Sequence, residues 1–431
     1  MSLGLRVRLS AMMFLQYYVW GIWLPILGLH LESKQVGLDP TQVGWIYTVY
    51  GFGAILGPFV LGQLADRYVA TELVMAVAHL VGGVLLIATA YVTGFWPIFL
   101  LLFAYCNLYM PTMGLTNSIT FRNVGEGNQD LFPGIRMWGT IGWIVAGLSF
   151  TAYRRGADYA ALQPLWDLVS KPSSRDCLRV AGVVSLIYGA YCFTLPHTPP
   201  TVVDRDTPKA KKSAILESLE LMRIRSFAVL VVVAGLIGIM LAFYFACENI
   251  FLAAIKTPKE DVGGYMVIGQ VAEFLVIGLV PWVVHRIGVK QTMLIGAGAW
   301  ALRFGLSAIG QPWWLMIATI GLHGFAFAFF FVVAQMYVDR AAGPDIKATA
   351  QNFLIFVIYG IGTIIGSVLT GFTRDYFGTK VAGKLVEDDW SRVWAGPFVL
   401  TLICIAVFAL MFRDTEIRKA TPVLEGDPSL V

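Results

Sequence analysis

Six ionisable side chains interrupt long apolar runs: His79, Arg136, Glu248, Glu273, Arg303 and His323. Where such runs lie in lipid, each of these groups is costly and marks a functional position by default. Arg136 opens the run FPGIRMWGTIGWI, residues 132–144. A guanidinium cannot shed its charge, so it needs a partner in the membrane or must snorkel to water. Arg136, Thr140 and Trp143 fall at i, i+4 and i+7, a single helical stripe that offers a charged fork, a hydroxyl and an aromatic plate. Those are tools for holding a polar ring, with snorkelling of Arg136 to the interface as the alternative. Gln270 and Glu273 fall at i and i+3, also on one face. A carboxyl taken out of water gains affinity for protons, so Glu273 reads either as a proton carrier or as a protonated structural acid bonded to a neighbouring helix. His323 and Phe327 share a face at i and i+4 and could line a cavity. Glu248, with Asn249, falls toward the end of its run, where a surface position fits. Arg303 has no acid beside it in the sequence and reads as structural, as does His79.

These residues must be positioned by helices. Of the 431 residues, 57% are hydrophobic and 13% charged, about half the charged share of an ordinary soluble domain. A bilayer core roughly 30 Å thick needs about 20 mostly apolar residues per helix. Twelve such stretches recur, at 10–31, 42–64, 72–92, 96–119, 133–153, 179–196, 226–252, 262–284, 291–309, 313–338, 347–371 and 393–412. Runs such as VLVVVAGLIGIM (229–240) are apolar on every side, which excludes the alternating strands of a membrane β-barrel. The first run follows Arg6 and Arg8 but is too long for a signal peptide and lacks a small-residue cleavage site, so it is expected as a retained first helix. Cys106, Cys177, Cys192, Cys247 and Cys404 have no metal-like spacing and indicate no redox compartment.

Lys and Arg set the orientation. With the termini in the cytoplasm, that side receives Arg6, Arg8, Arg67, Arg122, a basic cluster at 205–225, Arg286, Lys290, Arg340, Lys347, Arg413, Arg418 and Lys419. The positive charges of the other side sit mostly in two long loops, 154–178 and 372–392, which weigh less.

The polar segment 197–225 divides six helices from six. Its second half, 213–225, reads either as a surface amphipathic helix with Ile215, Leu216, Leu219 and Met222 toward lipid, or as a solvated linker. The expected division is therefore a six-helix bundle over 1–196, a cytoplasmic linker over 197–225, a second six-helix bundle over 226–412 and a cytoplasmic tail over 413–431. Six helices, a long basic middle loop and six more resemble the major facilitator transporters. Gly62-Gln-Leu-Ala-Asp-Arg67 resembles their loop motif, with a degraded copy at Pro281-Trp-Val-Val-His-Arg-Ile-Gly288. Asp66 and Arg67 are thereby candidates for a conformational latch, against a solvated loop pair. Glycines at 51, 53, 57 and 62 and at 360, 362, 366 and 371 suit helices that approach closely, whether to slide or to pack statically. There is no zinc-protease or phosphate-loop motif and no soluble domain for nucleotide hydrolysis, so no enzyme and no ATP-driven pump is expected.

Three longer strings carry a closer resemblance: Phe14-Leu-Gln-Tyr-Tyr-Val-Trp-Gly-Ile-Trp-Leu24, Tyr109-Met-Pro-Thr-Met-Gly-Leu-Thr-Asn-Ser118 and Phe132-Pro-Gly-Ile-Arg-Met-Trp-Gly-Thr-Ile-Gly142. With Thr194-Leu-Pro-His197, Gln270-Val-Ala-Glu273, Leu302-Arg-Phe304 and Ala350-Gln351, they resemble the nucleoside/proton symporter family of the major facilitator superfamily, the bacterial nucleoside permeases. The resemblance implies an all-α membrane protein of twelve helices in two six-helix halves, lying in the inner membrane and importing nucleosides with protons by alternating access. It implies that Arg136, Thr140, Trp143, Gln270 and Glu273 line the substrate site. His323 and Phe327 join them on the reading of the tenth helix, and Glu273 and His323 are the expected proton-coupling groups. The partners expected are a nucleoside, protons and lipid, with no cofactor beyond the proton, no metal and no nucleic acid, in a monomer. The chain departs from the better-known permeases at Ala328, where they have a carboxylate, at His323, where they have a tyrosine, and at Ala242 and Phe245, where they have amides. A modified nucleoside, a nucleobase or a sugar is the alternative substrate, and a receptor that binds without transporting is the alternative from another class.

Overall fold

Each long apolar run becomes a helix because a chain in hydrocarbon must satisfy its backbone polar groups internally. The structure is a computed structural model that describes residues 1–125, 131–164, 171–200, 221–255, 257–342, 347–382 and 384–413. The helices in chain order are α1 (Leu3–Leu31), α2 (Pro40–Ala65), α3 (Thr71–Thr89), α4 (Phe95–Val124), α5 (Phe132–Arg155), α6 (Asp176–Cys192), α7 (Arg225–Ala254), α8 (Val262–Ile277), α9 (Val280–Ile309), α10 (Trp313–Ala341), α11 (Ala350–Phe377) and α12 (Trp390–Met411). Among the described residues nine are long and apolar enough to span a bilayer. The others are α5, α6 and α8, which are shorter or carry more charge. A two-stranded hairpin, β1 (Thr379–Val381) and β2 (Lys384–Glu387), links α11 to α12. All five cysteines are buried free thiols.

Local chemistry sets the helix ends. Asp39 caps α2 through the Gln42 amide nitrogen, Gln42 returns a side-chain bond to Asp39, and Pro40 supplies the first turn, where its missing N–H costs nothing. The run expected at 262–284 is interrupted. α8 stops at Ile277, and a short helical stretch begins at Val280 with Pro281 in its first turn. Gly288, at φ 81°, then turns the chain into the main body of α9, a conformation open to glycine at no steric cost. Three helices contain wider π turns, at Pro58–Gly62 in α2, Phe327–Val332 in α10 and Phe356–Gly362 in α11. Such turns often accompany functional sites.

Two apolar cores form. One gathers buried residues from Leu9 to Leu195, joined by Ala246 of α7, and the other gathers them from Phe227 to Phe412. The helices are thus arranged as two halves, α1–α6 and α7–α12. Glycines bring α2 against α11 between the halves: a Cβ on Gly44 would lie 2.5 Å from the Ser367 carbonyl oxygen, and one on Gly371 would lie 2.6 Å from that of Pro40. Only hydrogen in place of a side chain permits that approach.

Every hydrogen bond and ion pair found between the halves among the described residues lies at the end remote from the chain termini. The Asn249 amide nitrogen donates to the Pro25 carbonyl at 2.9 Å, joining α7 to α1. Arg155 at the end of α5 pairs with Asp261 just before α8, and its Nη2 reaches Oδ2 at 2.6 Å. Arg154 donates to the Lys259 carbonyl at 3.1 Å. Arg374 of α11, 1% exposed, pairs with Glu32 at the end of α1 and holds Asp388 at 2.8 Å. These contacts close the bundle at the end bearing the α1–α2 loop.

Candidate functional site

Toward the middle of the bundle, α5 and α8 bring their polar stripes to the junction of the halves. The Arg136 guanidinium lies over the Tyr17 ring of α1, 4.1 Å from the centroid, and it is only partly exposed. A cation over an aromatic face contributes about 0.5–2 kcal/mol, more as water is excluded. Gly139, one turn on, makes room for both groups: a Cβ there would meet Tyr17 at 2.6 Å and the Arg136 Nη1 at 2.8 Å. Thr140 is partly exposed on the same stripe. Trp143 is buried and meets Trp20 edge-on with ring centroids 4.8 Å apart, and Trp20 stacks on Tyr50 of α2 at 5.6 Å.

From the other half, Gln270 and Glu273 are partly exposed, the Glu273 side chain at 15%. Glu273 and Arg136 lie within electrostatic reach of each other, and both act on Tyr17. The stripes read from the sequence therefore converge, one from each half. His323 of α10 places Nε2 3.9 Å from the Glu273 carboxylate. It is almost fully buried, stacked on Tyr244 of α7 at 4.6 Å and tilted against the half-buried Phe327 at 5.9 Å. Close packing fixes this arrangement, since a Cβ on Gly324 would lie 2.3 Å from the Glu273 backbone nitrogen. Ala328, where the better-known permeases carry an acid, is buried, as is Ala242, while Phe245 is half-buried.

The sequence reading needs correction at Glu248. Glu248 and Asn249 are not at a surface: both are buried. Arg303 does have an acid partner, because its Nη2 lies 3.2 Å from the Glu248 carboxylate with both side chains 1% exposed. The partners sit on α7 and α9, helices whose contact no local spacing reveals. His79 is buried in the first half, its ring between the Ser185 hydroxyl at 3.2 Å and the Gln16 amide oxygen at 3.1 Å, a structural position. Tyr17 and Tyr244 are the site neighbours that sequence reasoning did not single out. Tyr17 lay inside the string quoted at 14–24, and Tyr244 was signalled only by the aromatic residues around it.

Arg67, at the end of α2 nearer the termini, is exposed, and the Asp66 side chain lies outside the described residues. So do residues 201–220, which hold most of the expected linker including Ile215, Leu216 and Leu219, and residues 414–431 of the tail.

Residues 3–417 match the family described as nucleoside H+ symporter. YegT, a putative nucleoside transporter of Escherichia coli K12, is 32% identical over 415 residues, which cover 95% of this chain and 94% of its own length. Nucleoside permease NupG of the same organism is 28% identical over 438 residues, covering 97% and 98%. The crystal structure of nucleoside transporter NupG superposes with a TM-score of 0.79 over 95% of this chain and 100% of that one, at 28% identity. The twelve helices in two six-helix halves are the major facilitator fold. The chain is a multi-pass membrane transporter, not an enzyme, and it belongs to the nucleoside/proton symporter family.

Proposed function

We propose that the protein imports nucleosides together with protons across a bacterial inner membrane, with both termini in the cytoplasm, and that it works as a monomer without any cofactor beyond the coupling proton. The observation that carries this reading is that Arg136, lying over the Tyr17 ring in the first half, and Glu273, beside His323 in the second, are both partly exposed and within electrostatic reach of each other. Arg136, Thr140 and Gln270 orient the substrate through hydrogen bonds to the base edge and ribose hydroxyls. Phe327 offers a half-buried aromatic face for stacking, and Trp143, edge-on to Trp20, offers a second ring from the other half. Glu273 carries the proton, with His323 beside it.

Alternating access follows from the contacts between the halves. With the end remote from the termini held by Arg374, Arg155 and Asn249, substrate would reach the site from the end bearing the termini, an inward-facing state in this reading. Opening to the outside requires these contacts to part. Asp66 and Arg67 stand at the opposite end of α2, where a latch would hold the outward-facing state.

The test is uptake of labelled uridine and adenosine into proteoliposomes under an imposed inward proton gradient, with nucleobases and sugars as competitors. Accumulation that collapses with the gradient and is competed by nucleosides supports the reading. Uptake competed only by nucleobases or sugars favours another polar substrate, a reading that the buried Ala328 and Ala242 make specific, since neither offers a polar group. Binding without flux would favour a receptor.

A further inference from the structure

The pair formed by Glu248 and Arg303 is an expensive arrangement that the mechanism above does not use. The two groups meet at 3.2 Å, and beyond each other the guanidinium Nε and Nη1 and the second carboxylate oxygen have no hydrogen-bond partner. Two buried charges gain little net stability from each other after desolvation, and apolar replacements of similar volume often do as well. In the first half a buried polar cluster is built without carboxylate or guanidinium: His79 and Gln16 bond to each other and to Ser185 and Thr112. Stability is thus a weak account of the charges in the second half.

Their surroundings suggest another use. The Arg303 guanidinium lies over the Tyr244 ring, 4.4 Å from its centroid. The other aromatic partners of that ring include His323, stacked on it at 4.6 Å and 27°. Trp300 closes the group, edge-on to His323 at 5.4 Å. His323 then faces Glu273 at 3.9 Å. A continuous series of contacts thus runs from the ion pair to the acid of the site, through α7, α9, α10 and α8.

We propose that the Glu248–Arg303 pair is a positioning device: Glu248 holds Arg303 over Tyr244, and Tyr244 sets the plane and depth of the His323 imidazole beside Glu273. This rests on the nucleoside and proton reading of the site. Neither Glu248 nor Arg303 touches substrate. A guanidinium suits the task because its flat face stacks on an aromatic ring while its edge meets a carboxylate.

The test compares wild type with the volume-matched double variant Glu248→Leu/Arg303→Met in proteoliposomes, reading thermal stability and uridine counterflow kinetics. The double variant should melt near the wild type, while its KM for uridine rises about tenfold, the effect of one displaced polar contact, with maximal rate little changed. Tyr244→Leu should raise KM similarly, Tyr244→Phe should restore most of that loss because it keeps the ring, and the triple variant with Tyr244→Leu should be no worse than Tyr244→Leu alone. A well-folded double variant with wild-type KM overturns the proposal, as does full additivity with Tyr244→Leu. Should the double variant not fold, Tyr244→Leu decides: a wild-type KM there is equally contrary. A wild-type protein that moves neither uridine nor adenosine would instead count against the proposed function.

Discussion

The guanidinium of Arg136 rests on the ring of Tyr17, 4.1 Å from its centroid, and so a permanent charge is held at the junction of two half-bundles. The aromatic face stabilises the cation without neutralising it, leaving the guanidinium edge free to donate. Arg136→Lys keeps the charge but loses the planar fork. Its counterflow KM for uridine should rise about 2- to 30-fold, corresponding to about 0.5–2 kcal/mol, with thermal stability near wild type. An unchanged KM would separate Arg136 from substrate binding.

The end remote from the chain termini should respond to the loss of one ion pair. Glu32→Gln removes the carboxylate that α1 presents to Arg374, while Asp388 still satisfies the guanidinium. The lost charge-assisted bond costs the closed end about 1.5–3 kcal/mol. Spin labels at Lys34 and Lys380, on opposite halves of that end in a cysteine-free background, should report a population at longer distance in Glu32→Gln. An identical distance distribution would show that this contact does not hold the end shut.

Gly324 allows α10 to seat against the α8 backbone at the position of Glu273. A Cβ in Gly324→Ala would lie 2.3 Å from both the Ala272 carbonyl carbon and the Glu273 nitrogen. The helices must separate, at a cost of about 1–3 kcal/mol. The variant should melt at a lower temperature and lose most gradient-driven accumulation, because Glu273 moves relative to His323 and Arg136. Wild-type accumulation would show that the spacing of α8 and α10 does not govern coupling.

What the sequence made legible follows from periodicity. Arg136, Thr140 and Trp143 lie on one stripe whatever the tertiary fold, and so do Gln270 and Glu273. Apolar run length alone separates helices from strands in lipid. The junction of α8 and α9 was less legible, since apolar residues continue through Gly278 and the break depends on Pro281 and Gly288. Tertiary pairing was not legible at all: Glu248 meets Arg303, and Asn249 meets Pro25, across helices distant in the chain. Its place toward the end of an apolar run suggested a surface position for Glu248, and what keeps it buried is a partner which no local spacing identifies.

The proposed centre of the mechanism is a fixed cation and an acid at the junction of the halves, and Glu273→Gln tests it most directly. In proteoliposomes, uridine counterflow and proton-driven accumulation are measured on the same preparation. Counterflow should persist, because Gln keeps the shape and polarity of the side chain, while accumulation under a pH gradient should vanish. Accumulation at the wild-type level in Glu273→Gln would contradict the assignment of the proton to this residue, and with it the pairing of Arg136 and Glu273 as the working core of the transporter.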